Sequence, residues 1–126
     1  MAPNYQDKQV LSYTLYNGMT PNRGDVVIFP NPQNKSYIFA KRIIGLPADT
    51  IKIHDGQVIV NGKILNEPYL ELGIKTQGFM FMKEDQDIVV PAGQYIVMGD
   101  NRPMSSDSRE WGFVEGSTIL GRLTTR

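Results

Sequence analysis

Two tight-turn dipeptides constrain this fold more than any other feature of the sequence. Asp55-Gly56 and Asn61-Gly62 bracket the run Gln57-Val58-Ile59-Val60, and both supply the positive φ angles that a two-residue hairpin loop demands. A chain that reverses twice over so short a span is a meander, so 50–65 is read as three antiparallel strands. The same residue types recur in Val26-Val27-Ile28-Phe29 and over 36–44, 88–90, 94–98 and 119–123, short runs rich in Val, Ile, Phe and Tyr with turn residues between them. Twelve Gly and eight Pro in 126 residues leave no window of helical period, and 12–16 is expected to hold at most a short turn. The expected class is all-β, mainly antiparallel sheets, in a chain long enough for one compact domain. The expected partition is a core from 1–52 and 88–126 with a smaller β lobe inserted at about 53–87, loop-rich from 66 onward.

The densest chemistry lies in Gly99-Asp100-Asn101-Arg102-Pro103-Met104-Ser105-Ser106-Asp107-Ser108-Arg109-Glu110-Trp111-Gly112. So many donors and acceptors beside the apolar run Tyr95-Ile96-Val97-Met98 must satisfy one another, because an unpaired buried polar group costs about 1–3 kcal/mol. Asp100 with Arg102, and Asp107 with Arg109, are the obvious pairs. A second candidate is Lys41. Strand alternation puts it on one face with Tyr37, Phe39 and Ile43, while Ile38, Ala40, Arg42 and Ile44 take the other. Burial on such a face would lower the lysine pKa and make a neutral general base. A lysine near a strand end can equally run its stem along the apolar surface to water, and the strand alone does not choose.

Composition narrows the field. Thirteen basic and thirteen acidic residues balance to a formal charge of +0, with no like-charge run, so no nucleic-acid partner is expected. With no cysteine and one histidine, neither a metal nor another cofactor is implied. No apolar window approaches the roughly 18–20 residues of a membrane span, and the chain as given reads as soluble. His54 reads as an exposed hairpin residue, Glu84, Asp85 and Asp87 as a solvated loop, and Trp111 as packing.

The two chemical stretches together resemble the type I signal peptidases, the bacterial leader peptidases with Ser-Lys chemistry. That family's base motif, Lys-Arg-hydrophobic-hydrophobic-Gly-Leu-Pro-Gly-Asp, is matched by 41–49 except at Ala48. Its Gly-Asp-Asn-Arg-x-x-Ser-x-Asp-Ser-Arg motif is matched at every fixed position by 99–109, and Arg-Gly-Asp-hydrophobic-Val-hydrophobic-Phe by 23–29. A lysine in the base position resembles the bacterial branch. The resemblance implies a signal-peptidase-like catalytic core in which Lys41 is the base, Ser105 orients its amine, Gly99 packs close by, and the pairs Asp107 with Arg109 and Arg42 with Asp100 brace the scaffold. It implies peptide hydrolysis through an acyl-serine. The partners implied are leader peptides of exported preproteins, bound as an extended strand beside a sheet edge with Met1, Tyr5, Phe39 and Ala40 along the pockets. It also implies a catalytic domain on the extracytoplasmic side of a cell membrane, reached through an anchor that this chain lacks.

Departures from the family pattern matter. The nucleophile motif is Ser-Met-x-Pro-Thr-Leu, and Met1-Ala2-Pro3-Asn4-Tyr5 matches it from the methionine onward. The resemblance therefore puts the serine one position before Met1, and the chain as given is expected to fold without cutting leaders. Asn4-Tyr5 stands for Thr-Leu. Ala48, where the family has glycine, must take a negative φ or accept about 1 kcal/mol of strain. Two other classes compete: a non-catalytic peptidase-like module that binds or assembles pilins or leaders, and a self-cleaving repressor-type Ser-Lys domain, which would not account for the 99–109 motif.

Overall fold

The computed structural model describes residues 11–15 and 20–125. Ten strands follow in chain order: β1 (Leu11–Leu15), β2 (Val26–Asn31), β3 (Asn34–Gly45), β4 (Thr50–His54), β5 (Gln57–Val60), β6 (Lys63–Ile64), β7 (Ile88–Val89), β8 (Gln94–Met98), β9 (Val114–Glu115) and β10 (Gly121–Thr125). One helical turn, α1 (Ser108–Trp111), and 3-10 turns at Arg102–Met104 and Gly116–Thr118 complete the elements. The strands form a six-stranded sheet in the order β1-β10-β2-β3-β8-β9 and a four-stranded sheet in the order β6-β5-β4-β7. Every ladder is antiparallel.

The meander forms where its turns demand it. Asp55 and Gly56 take φ of 51° and 79°, and Asn61 and Gly62 take 51° and 84°, so both hairpin loops carry two consecutive positive φ angles, as a type I′ turn requires. Between the two sheets, consecutive residues of β3 and β8 serve different cores. Ile43, Tyr95 and Val97 pack with Val27, Phe29 and Val114. Ile44, Ile96 and Met98 pack with Ile51, Ile53, Val58, Val60, Met82 and Val90, which ties the second sheet to the first. The strand ladder bends at Gly45, where a Cβ would stand 3.0 Å from the Ile96 Cβ.

β3 is longer than one of its partners. β2 pairs along it from Asn34 to Arg42, whereas β8 pairs only with Arg42, Ile43 and Gly45. On the side away from β2, residues 34–41 of β3 therefore meet no strand among the described residues.

Three local readings change. Residues 11–15 are a strand rather than a short turn, because Leu11 to Leu15 pair residue by residue with β10 at the opposite end of the sequence, a partner that no local pattern displays. β9 lies in 114–115, where no strand was expected, and is a two-residue partner of β8. α1 is too short to show a helical period. It exists because the Asp107 side chain accepts from the Arg109 N–H at its start and Gly112, at φ 97°, closes it by donating to the Ser108 carbonyl.

Candidate active site

β3 presents Lys41 and Ile43 on the face that Phe39 shares. Lys41 is 2% exposed, its ammonium lies 5.1 Å from the centre of the Phe39 ring, and no carboxylate among the described residues forms an ion pair with it. Burial lowers its pKa from 10.5 to about 8; Asp107 and Asp100 pull it back up from a distance, and Arg109 pushes it further down. Its amine is hydrogen-bonded to the Ser105 hydroxyl, with Oγ 3.2 Å from Nζ. That oxygen also accepts the Gly99 N–H at 3.1 Å. With one lone pair so engaged, the hydroxyl can accept from an ammonium or donate its own proton to a free amine.

The turn that holds Ser105 is built on Asp107. Its buried carboxylate accepts from the Gly99 N–H at 3.0 Å, the Arg109 N–H at 3.1 Å, and Arg109 Nε and Nη2 at 2.9 Å each. Arg109 in turn donates to the carbonyls of Gln77 and Arg102, and its own carbonyl accepts the N–H groups of Phe81 and Met82. Ser108 Oγ accepts the Val97 N–H inside the core. No buried side-chain nitrogen or oxygen among the described residues lacks a partner, which is how so polar a stretch tolerates burial.

Arg42 points the opposite way from Lys41. It grips Asp100 with two parallel bonds of 2.9 and 2.6 Å, donates to the Gly24 carbonyl at 2.8 Å, and lies 4.0 Å over the Tyr69 ring. Arg102 does not pair with Asp100, contrary to the sequence expectation. Arg42 occupies both oxygens of that carboxylate, and Arg102 turns inward, where it is 1% exposed. There it donates to the Gly99 carbonyl at 2.7 Å, to Thr76 Oγ1 at 2.7 Å and to Glu67 Oε2 at 2.6 Å.

Phe39 and Ala40 lie half-buried just before Lys41 on β3, while Met1 and Tyr5 fall outside the described residues. Trp111 packs edge-on against Phe29 and donates from Nε1 to Ser106 Oγ at 3.1 Å. His54 is exposed beside Asp85. Among the described residues, no group of His, Cys, Asp and Glu could hold a metal ion, and no helix is long and apolar enough to cross a membrane.

A family model described as signal peptidase, peptidase S26, matches residues 1–126. The chain belongs to that family. It is 39% identical to "Probable signal peptidase I-2" of Synechocystis over all of this chain and 58% of that protein. It is 35% identical to signal peptidase I of Leptolyngbya laminosa over 95% of this chain and 59% of that one. The chain thus spans less than two thirds of the length of these relatives. It covers 72% of signal peptidase IB of Staphylococcus aureus, at 32% identity. Among solved structures, the crystal structure of a signal peptidase I from Enterococcus faecalis V583 superposes with a TM-score of 0.67 at 35% identity, over 83% of this chain and 97% of that one.

The residues around this site that sequence reasoning missed are Glu67, Tyr69 and Thr76, all from the segment read as loop. A signal was present in principle. A motif with two arginines and two aspartates, one of them claimed by Arg42, leaves Arg102 short of an acceptor, and a buried guanidinium must find one elsewhere.

Proposed function

We propose that this chain is the catalytic part of a signal peptidase that hydrolyses the bond between a leader peptide and an exported protein, on the extracytoplasmic side of a cell membrane. The observation that carries this reading is the buried Lys41 amine, 3.2 Å from Ser105 Oγ and in no ion pair with a carboxylate among the described residues.

In this reading the neutral Lys41 amine takes the proton of a serine hydroxyl at the position preceding Met1. The serine oxygen attacks the scissile carbonyl, the carbon–nitrogen bond breaks, and the Lys41 ammonium returns its proton to the departing amine. Lys41 then takes a proton from water, whose oxygen attacks the acyl ester; the bond from the acyl carbon to the serine oxygen breaks, the leader leaves as a carboxylic acid, and the Lys41 ammonium gives its proton to the serine oxygen. Ser105, held by the Gly99 N–H, keeps the amine aimed throughout. The side of β3 over 34–41 that faces away from β2, and that meets no strand among the described residues, suits an extended leader, which would add there as a strand and set its small side chains beside Phe39 and Ala40.

The test uses a protein carrying serine directly before Met1, in detergent, with a leader-type peptide ending in small residues. Cleavage should rise with pH through about 8, the range in which Lys41 loses its proton. Lys41→Ala and Lys41→Arg should each lose at least about 10²–10⁴-fold, since a guanidinium cannot accept the proton, and Ser105→Ala should lose less. The chain beginning at Met1 should not cut. Turnover by that chain, or by Lys41→Arg, would overturn the assignment.

A further inference from the structure

Lys41 and Ser105 belong to different elements, and the β3–β8 ladder ends at the pair Arg42 and Met98, just short of both. Beyond the ladder, side chains join strand and turn, and the Arg42–Asp100 pair is one such link. The residues 67–69 supply a second, from outside both elements. The Tyr69 ring lies 4.0 Å beneath the guanidinium of Arg42, the residue after Lys41. The Tyr69 hydroxyl donates to Glu67 Oε2 at 2.9 Å, and the same oxygen accepts Arg102 Nη2 at 2.6 Å. Arg102 Nε donates to the carbonyl of Gly99, whose N–H holds the Ser105 hydroxyl. The Arg102 side chain is fully buried and that of Glu67 is 8% exposed, so this is a charge-assisted contact sheltered from water and salt. Burial, with Glu67 alongside, holds the Tyr69 hydroxyl well above its ordinary pKa, which keeps it a donor at any physiological pH.

We propose that Glu67 and Tyr69 are positioning residues: the turn they form clamps Arg42 on one side and Arg102 on the other, and so sets the spacing of Lys41 and Ser105. Neither residue touches the reacting atoms. Releasing the clamp lets the Ser105 turn move off β3, which wets the Lys41 amine and returns it toward an ordinary lysine. The clamp matters for catalysis because Lys41 is the proposed base, but the measurement needs no turnover, so failure of one reading does not imply failure of the other.

The experiment is an NMR titration of the lysine side chains in the chain as given, with the Lys41 signal assigned by its loss in Lys41→Arg. In the parent the midpoint should lie near 8. In Glu67→Ala it should rise by about one pH unit, and in Tyr69→Phe, which keeps the ring under Arg42 and loses only the hydroxyl, by roughly half as much. The sign is diagnostic. Removing a carboxylate acts by charge alone to lower a lysine pKa, so a rise reports lost burial. Val58→Ala, which opens the core of the second sheet, serves as a control: it should lower Tm and leave the Lys41 midpoint in place. A Lys41 midpoint in Glu67→Ala that is unchanged or lower overturns the clamp, as does an equal rise in Val58→Ala. Should Glu67→Ala not fold, the midpoint of Tyr69→Phe decides in the same way.

Discussion

Lys41 and Arg42 are neighbours in one strand, and the two sides of β3 treat them oppositely. On the Lys41 side the amine meets the Phe39 ring and the Ser105 hydroxyl, with no carboxylate paired to it among the described residues. On the Arg42 side the guanidinium finds the bidentate Asp100, the Gly24 carbonyl and the Tyr69 ring. The difference follows from what each cation can give up. A guanidinium stays charged at any accessible pH, so it tolerates burial only when paired, whereas an ammonium can shed its proton when burial makes the charge costly. The same strand therefore carries one cation held charged by its partners and one whose charge burial disfavours, and the order Lys-Arg is not interchangeable.

The sharpest way to break this contrast is to remove the acid from the Arg42 side. Asp100→Ala removes both carboxylate bonds of Arg42 and is expected to cost about 2–4 kcal/mol in urea unfolding, somewhat below the loss for a fully buried pair because both side chains are 18% exposed. A loss under about 1 kcal/mol would make it an ordinary surface pair.

Lys41→Met tests the other side and should have the opposite sign. The folded pKa of Lys41 lies below its unfolded value, so between about 8 and 10.5 the unfolded chain holds a proton that the folded chain has lost, and parent stability climbs with pH across that window. Replacing the amine by a thioether should then stabilise by about 1–3 kcal/mol at pH 7, with the gain full below pH 8 and gone above 10.5. Denaturant midpoints for parent and variant at pH 7 and pH 10.5 check it. Equal destabilisation at both pH values would mean that the amine is not held against its charge.

The smallest expected effect lies at the exit of the same strand. Ala48 does not take a negative φ; it sits at 76°, held by its N–H to the Val90 carbonyl. The next residue, Asp49, receives Arg23, the Leu46 N–H and the Asn61 amide. Burial pushes the Asp49 pKa up, but these bonds and the Arg23 charge outweigh it and hold the carboxyl below its usual range. Ala48→Gly should relieve strain and raise stability by at most about 1 kcal/mol, the greater freedom of glycine in the unfolded chain offsetting part of the gain. The Lys41 titration should not move. A shifted midpoint would show that this turn, and not only the two faces of β3, sets the lysine environment.

The parts of the fold legible in the sequence were those that short-range geometry dictates. Two Asp-Gly and Asn-Gly turns determine the hairpins, β-branched runs determine strands, and alternation puts Lys41 with Phe39 and Ile43 on one face of β3. The motif resemblance over 41–49 and 99–109 pointed to the family. What stayed hidden depends on distance through space. β1 is a strand because β10 lies beside it, and Arg102 finds Glu67 and Thr76, 35 and 26 residues away in the chain. The sequence by itself determined the antiparallel β class and the residues that could carry chemistry. Only the tertiary structure decided which carboxylate Arg102 receives and, among the described residues, that Lys41 receives none. Backbone preferences act within a few residues, whereas Arg42 with Asp100 and Arg102 with Glu67 join residues 58 and 35 positions apart, and such pairings are settled only when the elements are packed together.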